Sequence, residues 1–296
     1  MHLLLLTLTL LTPLTLAASS KRGLVYIHPA HPTDLTTYTS SPELIWYYNY
    51  SPLPAPGLPS SLSFVPMLWG SDTSHIPSAF PGQIHSLSPK PEYILSFNEP
   101  DEPTKTGGSS MSVSTAADLW GKYLAPLRKE GYKVGAPAIT GSPRGLAWLA
   151  DFFKTCKCED DAAFVAVHWY GAFEGLVPFI TNVSSTYPSK EIWVTEWGLP
   201  GADAKTTETF FNQTVEFLEG HKNVSRHAYF GTFRSDASNI GPSAALLDKK
   251  GGLSSVGRWY LGESKAAGAE KGDAVRGGAF AGWWCLVALI GLWAMG

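Results

Sequence analysis

Charged residues are scarce in this sequence. Asp, Glu, Lys and Arg make up 16% of its 296 residues, and 22 basic against 25 acidic residues leave a net charge of −3. Without a block of basic residues the chain has no electrostatic footprint for nucleic acid, so polyanion binding is not expected. A hydrophobic content of 44%, together with the low charge, 29 Gly and 22 Pro, excludes a disordered chain and a coiled coil. Three cysteines are too few for a small disulfide-stapled scaffold.

Tryptophan, by contrast, is plentiful, with 11 residues in the chain. Aromatic side chains offer flat apolar faces on which sugar rings stack, and a charge-poor, Trp-rich composition favours a sugar-binding surface. The length suits either one large domain or two average ones, because α/β barrels of about 250 residues form a single domain.

The amino terminus has the pattern of a secretory signal. Residues 3–16 are almost entirely Leu and Thr, and small residues follow at Ala17, Ala18 and Ser19. This pattern predicts a signal peptide over residues 1–17, although the segment before the apolar run lacks Lys and Arg. The alternative is a buried amino-terminal strand.

The carboxyl terminus has the layout of a glycosylphosphatidylinositol (GPI) attachment signal. Three small residues at 266–268 precede a polar spacer over 269–278 and an apolar tail over 279–295. We therefore expect a mature domain over residues 18–266 and a removed propeptide over 267–296, which leaves about the length of one barrel. A retained transmembrane tail and a buried core helix are the alternatives.

Secretion would place the chain in an oxidising compartment. Cys285 would leave with the tail, so Cys156 and Cys158 pair either with each other or with another molecule. No neighbouring Cys or His pair has metal-ligand spacing, and no metal or other cofactor is expected. Glycosylation sequons occur at Asn49, Asn182, Asn212 and Asn223.

The middle of the chain alternates β-rich runs with helical or Pro/Gly-rich connections. The eight runs are 23–27, 44–48, 64–68, 93–97, 133–136, 164–168, 192–195 and 227–230. Apolar spacing predicts helices over 114–129, 145–154 and 206–219, whereas 51–63 has the composition of a loop. Eight strands alternating with connections predict a single-domain α/β fold, the (β/α)8 TIM barrel. A doubly wound sheet is the alternative, although no G-x-G-x-x-G turn follows the first run.

Barrel enzymes carry their catalytic residues at the carboxyl ends of the strands. Asn98 and Glu99 end the fourth run, and Glu196 ends the seventh. In a barrel these two carboxylates face each other across the mouth, where one protonates a leaving oxygen while the other attacks an anomeric carbon or activates water. A glutamate at a strand end is more often a solvated rim residue, but two at matching ends favour glycoside hydrolysis.

Several motifs in order resemble glycoside hydrolase family 128, of clan A. The motifs are SFNEPD at 96–101, GAPAI at 135–139, FVAVHWYG at 164–171, IWVTEWG at 192–198 and HAYFG at 227–231. The resemblance covers about residues 22–262 and implies a retaining endo-β-1,3-glucanase on a (β/α)8 barrel. It implies that Glu99 is the acid/base, that Glu196 is the nucleophile, and that Asn98 binds the sugar 2-hydroxyl.

Further residues are candidates for contact with the sugar. They are Asn49, Trp69, His168, Tyr170, Trp197 and Phe230. Tyr170 is the expected hydrogen-bond donor to the nucleophile, and His168 either contacts the ligand or supports the carboxylates. If Asn49 faces the cleft, a glycan there would block substrate, so we expect glycans only at Asn182, Asn212 and Asn223.

The resulting hypothesis is a secreted, GPI-anchored, monomeric hydrolase of cell-wall β-1,3-glucan. Two other functions stay open at this point: a non-catalytic β-glucan-binding surface protein, and a transglycosylase. We expect membrane contact only through the anchor and no nucleic-acid partner.

Overall fold

The computed structural model describes residues 20–27, 31–71 and 76–263. It contains eight strands: β1 (Arg22–Val25), β2 (Trp46–Tyr48), β3 (Ser63–Phe64), β4 (Tyr93–Ile94), β5 (Lys133–Val134), β6 (Phe164–Tyr170), β7 (Glu191–Gly198) and β8 (Val224–Tyr229). Each overlaps one of the eight predicted runs. The predicted signal peptide and propeptide lie outside the described residues.

The strands close into a parallel barrel. Continuous ladders connect them in the order β3-β2-β1-β8-β7-β6, and β4 pairs with β5. Parallel bridges join the two groups, from Met67 to Leu95 and from Ile139 to Val167. The circle is therefore complete, which confirms the (β/α)8 fold and excludes the doubly wound sheet.

Helices cover the outside of the barrel. They are α1 (Thr33–Thr39), α2 (Phe80–His85), α3 (Val113–Leu119), α4 (Ala125–Lys129), α5 (Pro143–Cys156), α6 (Phe173–Thr186), α7 (Ala204–Gly220) and α8 (Ser255–Tyr260), with a π turn at Trp120–Leu124 between α3 and α4. Side-chain oxygens cap four of them: Ser112, Ser142, Asp203 and Ser254 accept from backbone N–H groups of the first turn.

The three predicted helices are all present, and α3, the π turn and α4 together span the first of them. No helix separates β2 from β3, as the composition of 51–63 indicates. Sequence patterns did not reveal α1, α2, α6 or α8. In α6 an internal Pro178 obscures the helical pattern.

The lower half of the barrel interior is filled with aromatic rings. Trp193 stacks on Phe164 with ring centroids 3.9 Å apart, and the Arg226 guanidinium lies 4.6 Å from the ring centroids of Trp193 and Tyr93. Gly23 leaves space for Trp46, since a Cβ on that glycine would come within 2.2 Å of the indole. We call this group of Trp46, Tyr93, Phe164, Trp193 and Arg226 the barrel floor.

A disulfide joins Cys156 and Cys158 just after α5, so the structure realises the first of the two pairings open from sequence. Lys157 between them adopts a left-handed conformation with φ of 54°. Among the described residues, no helix is both long enough and apolar enough to cross a bilayer.

Candidate active site

Strand β7 carries Glu196 to the mouth of the barrel through a bulge. Val167 of β6 pairs with Val194, whereas the next β6 residue, His168, pairs with Glu196, so Thr195 is the extra residue. Strict alternation from the inward-facing Trp193 would turn Glu196 outward. The bulge re-aims the Glu196 carboxylate into the barrel, as bulges beside active sites do.

Glu99 lies in a constrained turn after β4. Its φ is +39°, a left-handed conformation that is unfavourable for a residue with a side chain. The turn is held from both sides: the Glu99 amide donates to the Ala138 carbonyl at 2.7 Å, and the Asp101 carboxylate accepts from the Thr140 amide at 3.1 Å. The β5–α5 connection therefore fixes the direction of the Glu99 carboxyl.

His168 lies between the two glutamates. Its Nδ1 is 2.7 Å from Glu99 Oε1 and 3.4 Å from Glu196 Oε2. The imidazole is fully buried, and the two glutamates are only 7% and 5% exposed. His168 therefore supports the carboxylates and presents no surface to a ligand, which decides between the two roles open from sequence.

Tyrosine hydroxyls hold Glu196 from two sides. Tyr170 donates to Oε2 at 2.6 Å, as expected, and Tyr50 donates to Oε1 at 2.7 Å. The Tyr48 hydroxyl lies 3.2 Å from the same Oε1 and 3.1 Å from the Thr195 carbonyl. Burial, followed by the charge of Glu196, raises the pKa of all three tyrosines well above the usual value, so each remains a donor.

The acid–base properties of the pair follow from its burial. Desolvation raises the pKa of Glu99, and the charges of Glu196 and Asp101 raise it further, while His168 acts in the opposite direction. Burial lowers the pKa of His168, but the carboxylates of Glu196 and Glu99 outweigh burial and raise it overall. Glu99 and His168 therefore form a pair that retains a proton, next to a glutamate that accepts hydrogen bonds on both oxygens.

Asn98 is placed for polar contact at the same edge. It is 3% exposed, its Nδ2 donates to the Gly107 carbonyl at 3.2 Å, and its Oδ1 has no partner among the described residues. The bond to Gly107 fixes the amide orientation, because only the NH2 group can donate to a carbonyl.

Three of the candidate aromatics pack on the inner side of the barrel. Tyr170 packs edge-on against Phe230 with ring centroids 5.6 Å apart, and Trp69 packs against the same inner cluster. Trp69 also lines a groove with Pro52, Ile76 and Gln83 on the β3 side of the mouth. The structure thus brings Trp69, Tyr170 and Phe230 together at the mouth.

One predicted contact with substrate requires correction. Trp197 is fully buried outside the barrel, where its indole donates to His227 at 3.2 Å and packs on Phe210 and Phe211 of α7. It points away from the mouth because the preceding residue, Glu196, points inward. Asn49 donates from its side-chain amide to the Leu53 carbonyl at 3.0 Å, in the turn after β2, and its contact with substrate stays a prediction.

Sequence reasoning missed Tyr48 and Tyr50. Alternation along β2 places Trp46, Tyr48 and Tyr50 in the inner cluster, and Tyr47 in the outer one. Reading this alternation past the end of the strand would have selected Tyr50.

The remaining sequons lie on the outside of the barrel. Asn182 is exposed on α6, Asn212 is half-buried on α7, and Asn223 is half-buried just before β8. Glycosylation at these positions, and its absence at Asn49, stay predictions.

One ligand atom from each of Glu99, His168 and Glu196 lies within 4.8 Å of the other two, a spacing that would also suit a metal ion. In this arrangement the same atoms bond to each other and to tyrosine hydroxyls. The donor set therefore fits proton transfer between paired groups.

Comparison with known proteins agrees with this site. Residues 23–260 match the family described as glycosyl hydrolase catalytic core. The solved structure of a family 128 curdlan-specific exo-β-1,3-glucanase from Blastomyces gilchristii is 27% identical, with a TM-score of 0.67, and the match covers 83% of this chain and 99% of that one. The chain belongs to glycoside hydrolase family 128.

Other members of family 128 differ in function. An oligosaccharide-binding member from Cryptococcus neoformans is 27% identical with a TM-score of 0.68, covering 83% of this chain and 94% of that one. Alkali-sensitive linkage protein 1 of Schizosaccharomyces pombe is 32% identical over an alignment 257 residues long, which covers 83% of this chain. The chain spans 45% of the length of that relative. Membership in family 128 therefore establishes the glycoside hydrolase catalytic core, whereas the reaction depends on the site.

Proposed function

We propose that the protein is a retaining endo-acting hydrolase of β-1,3-glucan. The observation that carries the proposal is the buried pair Glu99 and Glu196, which have carboxylate oxygens within 4.8 Å of each other. Retaining glycosidases hold their carboxyl groups about 5–5.5 Å apart, whereas inverting enzymes need about 6.5–9.5 Å to admit a water molecule. The likeness to a curdlan-specific glucanase supports the substrate class.

The geometry assigns the two glutamates different tasks. Glu99 has a raised pKa and shares a proton with His168, so it protonates the glycosidic oxygen as the bond breaks. Glu196, whose oxygens accept bonds from Tyr50 and Tyr170, attacks the anomeric carbon. Glu99 then removes a proton from the water that hydrolyses the glycosyl ester, and both glutamates return to their starting states.

The stereochemistry of the first product tests this mechanism. Proton NMR during hydrolysis of β-1,3-linked oligosaccharides by the full chain should show the β anomer first, followed by mutarotation. Glu99→Gln and Glu196→Gln should each lose about 10²–10⁴-fold or more in kcat. Glu191→Gln is the matched control, because Glu191 is exposed at the opposite end of β7 and should retain activity. An α anomer as the first product, or full activity in Glu196→Gln, would refute the mechanism.

The size of the early products tests the endo mode. An endo enzyme should release a range of oligosaccharides from laminarin, whereas release of glucose alone would indicate the exo mode of the Blastomyces gilchristii relative. Products longer than the starting oligosaccharide would indicate transglycosylation.

A non-catalytic oligosaccharide-binding function is the second candidate, because the Cryptococcus neoformans member of that description is as similar as the glucanase. The paired carboxylates favour the hydrolase. Calorimetric binding of laminari-oligosaccharides by wild type without any product would decide for the binding function.

Secretion and a GPI anchor are further parts of the proposal, supported by the sequence patterns of residues 1–17 and 267–296. Phosphatidylinositol-specific phospholipase C should release the protein from the surface of expressing cells. Retention after treatment would favour the transmembrane alternative. Gel filtration of the released protein tests the predicted monomer.

A further inference from the structure

Tyr50 contacts the proposed nucleophile in a way that Tyr170 does not duplicate. The two hydroxyls donate to different oxygens of Glu196, Tyr50 to Oε1 at 2.7 Å and Tyr170 to Oε2 at 2.6 Å. His168 also lies on the Oε2 side, at 3.4 Å. Tyr48 also reaches Oε1, at 3.2 Å, so Tyr50 makes the shorter of the two bonds to that oxygen.

The backbone of Tyr50 supports a functional role for this contact. Its φ is +59°, and only Glu99, Ser110 and Lys157 share positive φ among non-glycine residues in the described parts of the chain. A left-handed conformation is unfavourable for a residue with a side chain. Two of these four residues thus lie in the cluster around the carboxylates, where strain often accompanies function.

Tyr48 differs from Tyr50 because its hydroxyl has two acceptors. The Thr195 carbonyl is at 3.1 Å and Glu196 Oε1 is at 3.2 Å, so its single proton is shared. Tyr48 is fully buried and packs edge-on against Tyr50, with ring centroids 5.1 Å apart. It is a positioning residue for both the bulge and the Tyr50 ring.

We propose that Tyr50 is a catalytic residue that stabilises the Glu196 carboxylate when the glycosyl ester breaks. The proposal rests on the retaining function proposed above. In that step water attacks the anomeric carbon, its proton passes to Glu99, and the electron pair of the broken bond returns to Glu196. A hydroxyl donates more strongly to a carboxylate than to an ester, so the Tyr50 bond strengthens as the charge returns.

The other groups that face the Glu196 carboxylate are Tyr48 from β2, Glu99 from the turn after β4, and His168 and Tyr170 from β6. Tyr50→Phe leaves all of these in place and removes one donor to a charged group. Its effect on the rate of ester hydrolysis therefore reports the loss of this donor.

The experiment compares Tyr50→Phe with wild type of the full chain on an aryl β-laminaribioside with a good leaving group. Hydrolysis of the ester should become rate-limiting and slow by about 10–100-fold, with a burst of released aryl alcohol and a covalent adduct in the mass spectrum. Tyr47→Phe is the matched control, because Tyr47 is the outward-facing neighbour and packs on Phe64. It should show neither the burst nor the slower hydrolysis of the ester.

Two outcomes separate this proposal from the proposed function. If wild type hydrolyses the substrate with retention but Tyr50→Phe shows no burst and no slower hydrolysis of the ester, the role of Tyr50 is wrong while the hydrolase stands. If wild type forms no product, the hydrolase itself is wrong. Should Tyr50→Phe fail to fold, incorporation of 3,5-difluorotyrosine at position 50 strengthens the donor and should speed hydrolysis of the ester; an unchanged or slower rate would overturn the proposal.

Discussion

The stability of the barrel should decrease in mild acid because His227 is held in its neutral form. The imidazole is fully buried; Trp197 donates to its Nδ1 at 3.2 Å, and its Nε2 faces Glu219 at 3.2 Å. An acceptor Nδ1 carries no proton, so the Nε2 proton must point to Glu219. Protonation of Nδ1 would therefore break the bond that holds Trp197, the residue after the proposed nucleophile.

The sign of the effect follows from the surroundings of His227. Burial lowers its pKa, Glu219 raises it, and Arg22 and Lys21 lower it, with a net decrease. An unfolded histidine has a pKa of about 6.5, so the unfolded chain binds this proton at a higher pH than the folded chain does. The stabilising contribution is present above about pH 6.5 and is lost as the pH falls toward the folded pKa, with a slope approaching about 1.4 kcal/mol per pH unit.

Urea unfolding of wild type and His227→Gln between pH 5 and 7.5 measures this slope. Glutamine can still donate to Glu219 but does not titrate, so the difference in unfolding free energy between the two proteins should change by about 1.4 kcal/mol per unit below pH 6.5. Measurements stay above pH 5 because Glu219, whose pKa is lowered, contributes its own acid sensitivity near its unfolded pKa of about 4.3. Trp197→Phe removes the donor to Nδ1 and should reduce the slope. A difference that does not vary with pH would refute the argument.

Two further substitutions probe the turn that presents the acid. His168→Gln removes the group that lowers the pKa of Glu99, so the basic limb of the kcat/KM profile should move upward. An unmoved limb would contradict the coupling. Gly108→Ala places a Cβ 2.2 Å from the Glu102 carbonyl oxygen and displaces the loop that holds Asn98, so kcat should fall by up to about 10²-fold. Gly121→Ala is the control: its Cβ meets nothing within 4 Å, so this variant should keep the wild-type kcat.

Much of the barrel is readable from local patterns. Each of the eight strands carries a β-rich run, and the cap of α7 is visible as Asp203 before the helical spacing. The sequence also predicted the short strands β3 and β4, because the apolar run of each extends beyond the strand. Residues in these extensions form isolated bridges, such as the one between Met67 and Leu95. Local patterns did not predict the short helices α1, α2 and α8. Each is no longer than seven residues and is held by packing on the barrel.

The candidate site was also predictable only in part. Both glutamates were predicted because polar residues at strand ends mark a barrel mouth, and the structure brings them together. The orientation of their neighbours was not predictable, since the bulge at Thr195 arises only when β6, β7 and β8 pair, and it decides that Glu196 faces inward and Trp197 outward. The omission of Tyr50 was a different kind of error, because period-two alternation along β2 contained the answer.

Because the barrel floor fills the lower interior, different side chains serve folding and substrate recognition. Trp193 and Phe164 fill the lower interior and are fully buried, whereas Phe230 and Trp69 lie at the mouth, with Phe230 8% exposed. A lumen closed by stacked rings and Arg226 is a cup with one opening, so an oligosaccharide must enter and leave by the same face. Side chains at that opening can change with little loss of core packing. Preference for substrate chain length can therefore differ between proteins that share this barrel.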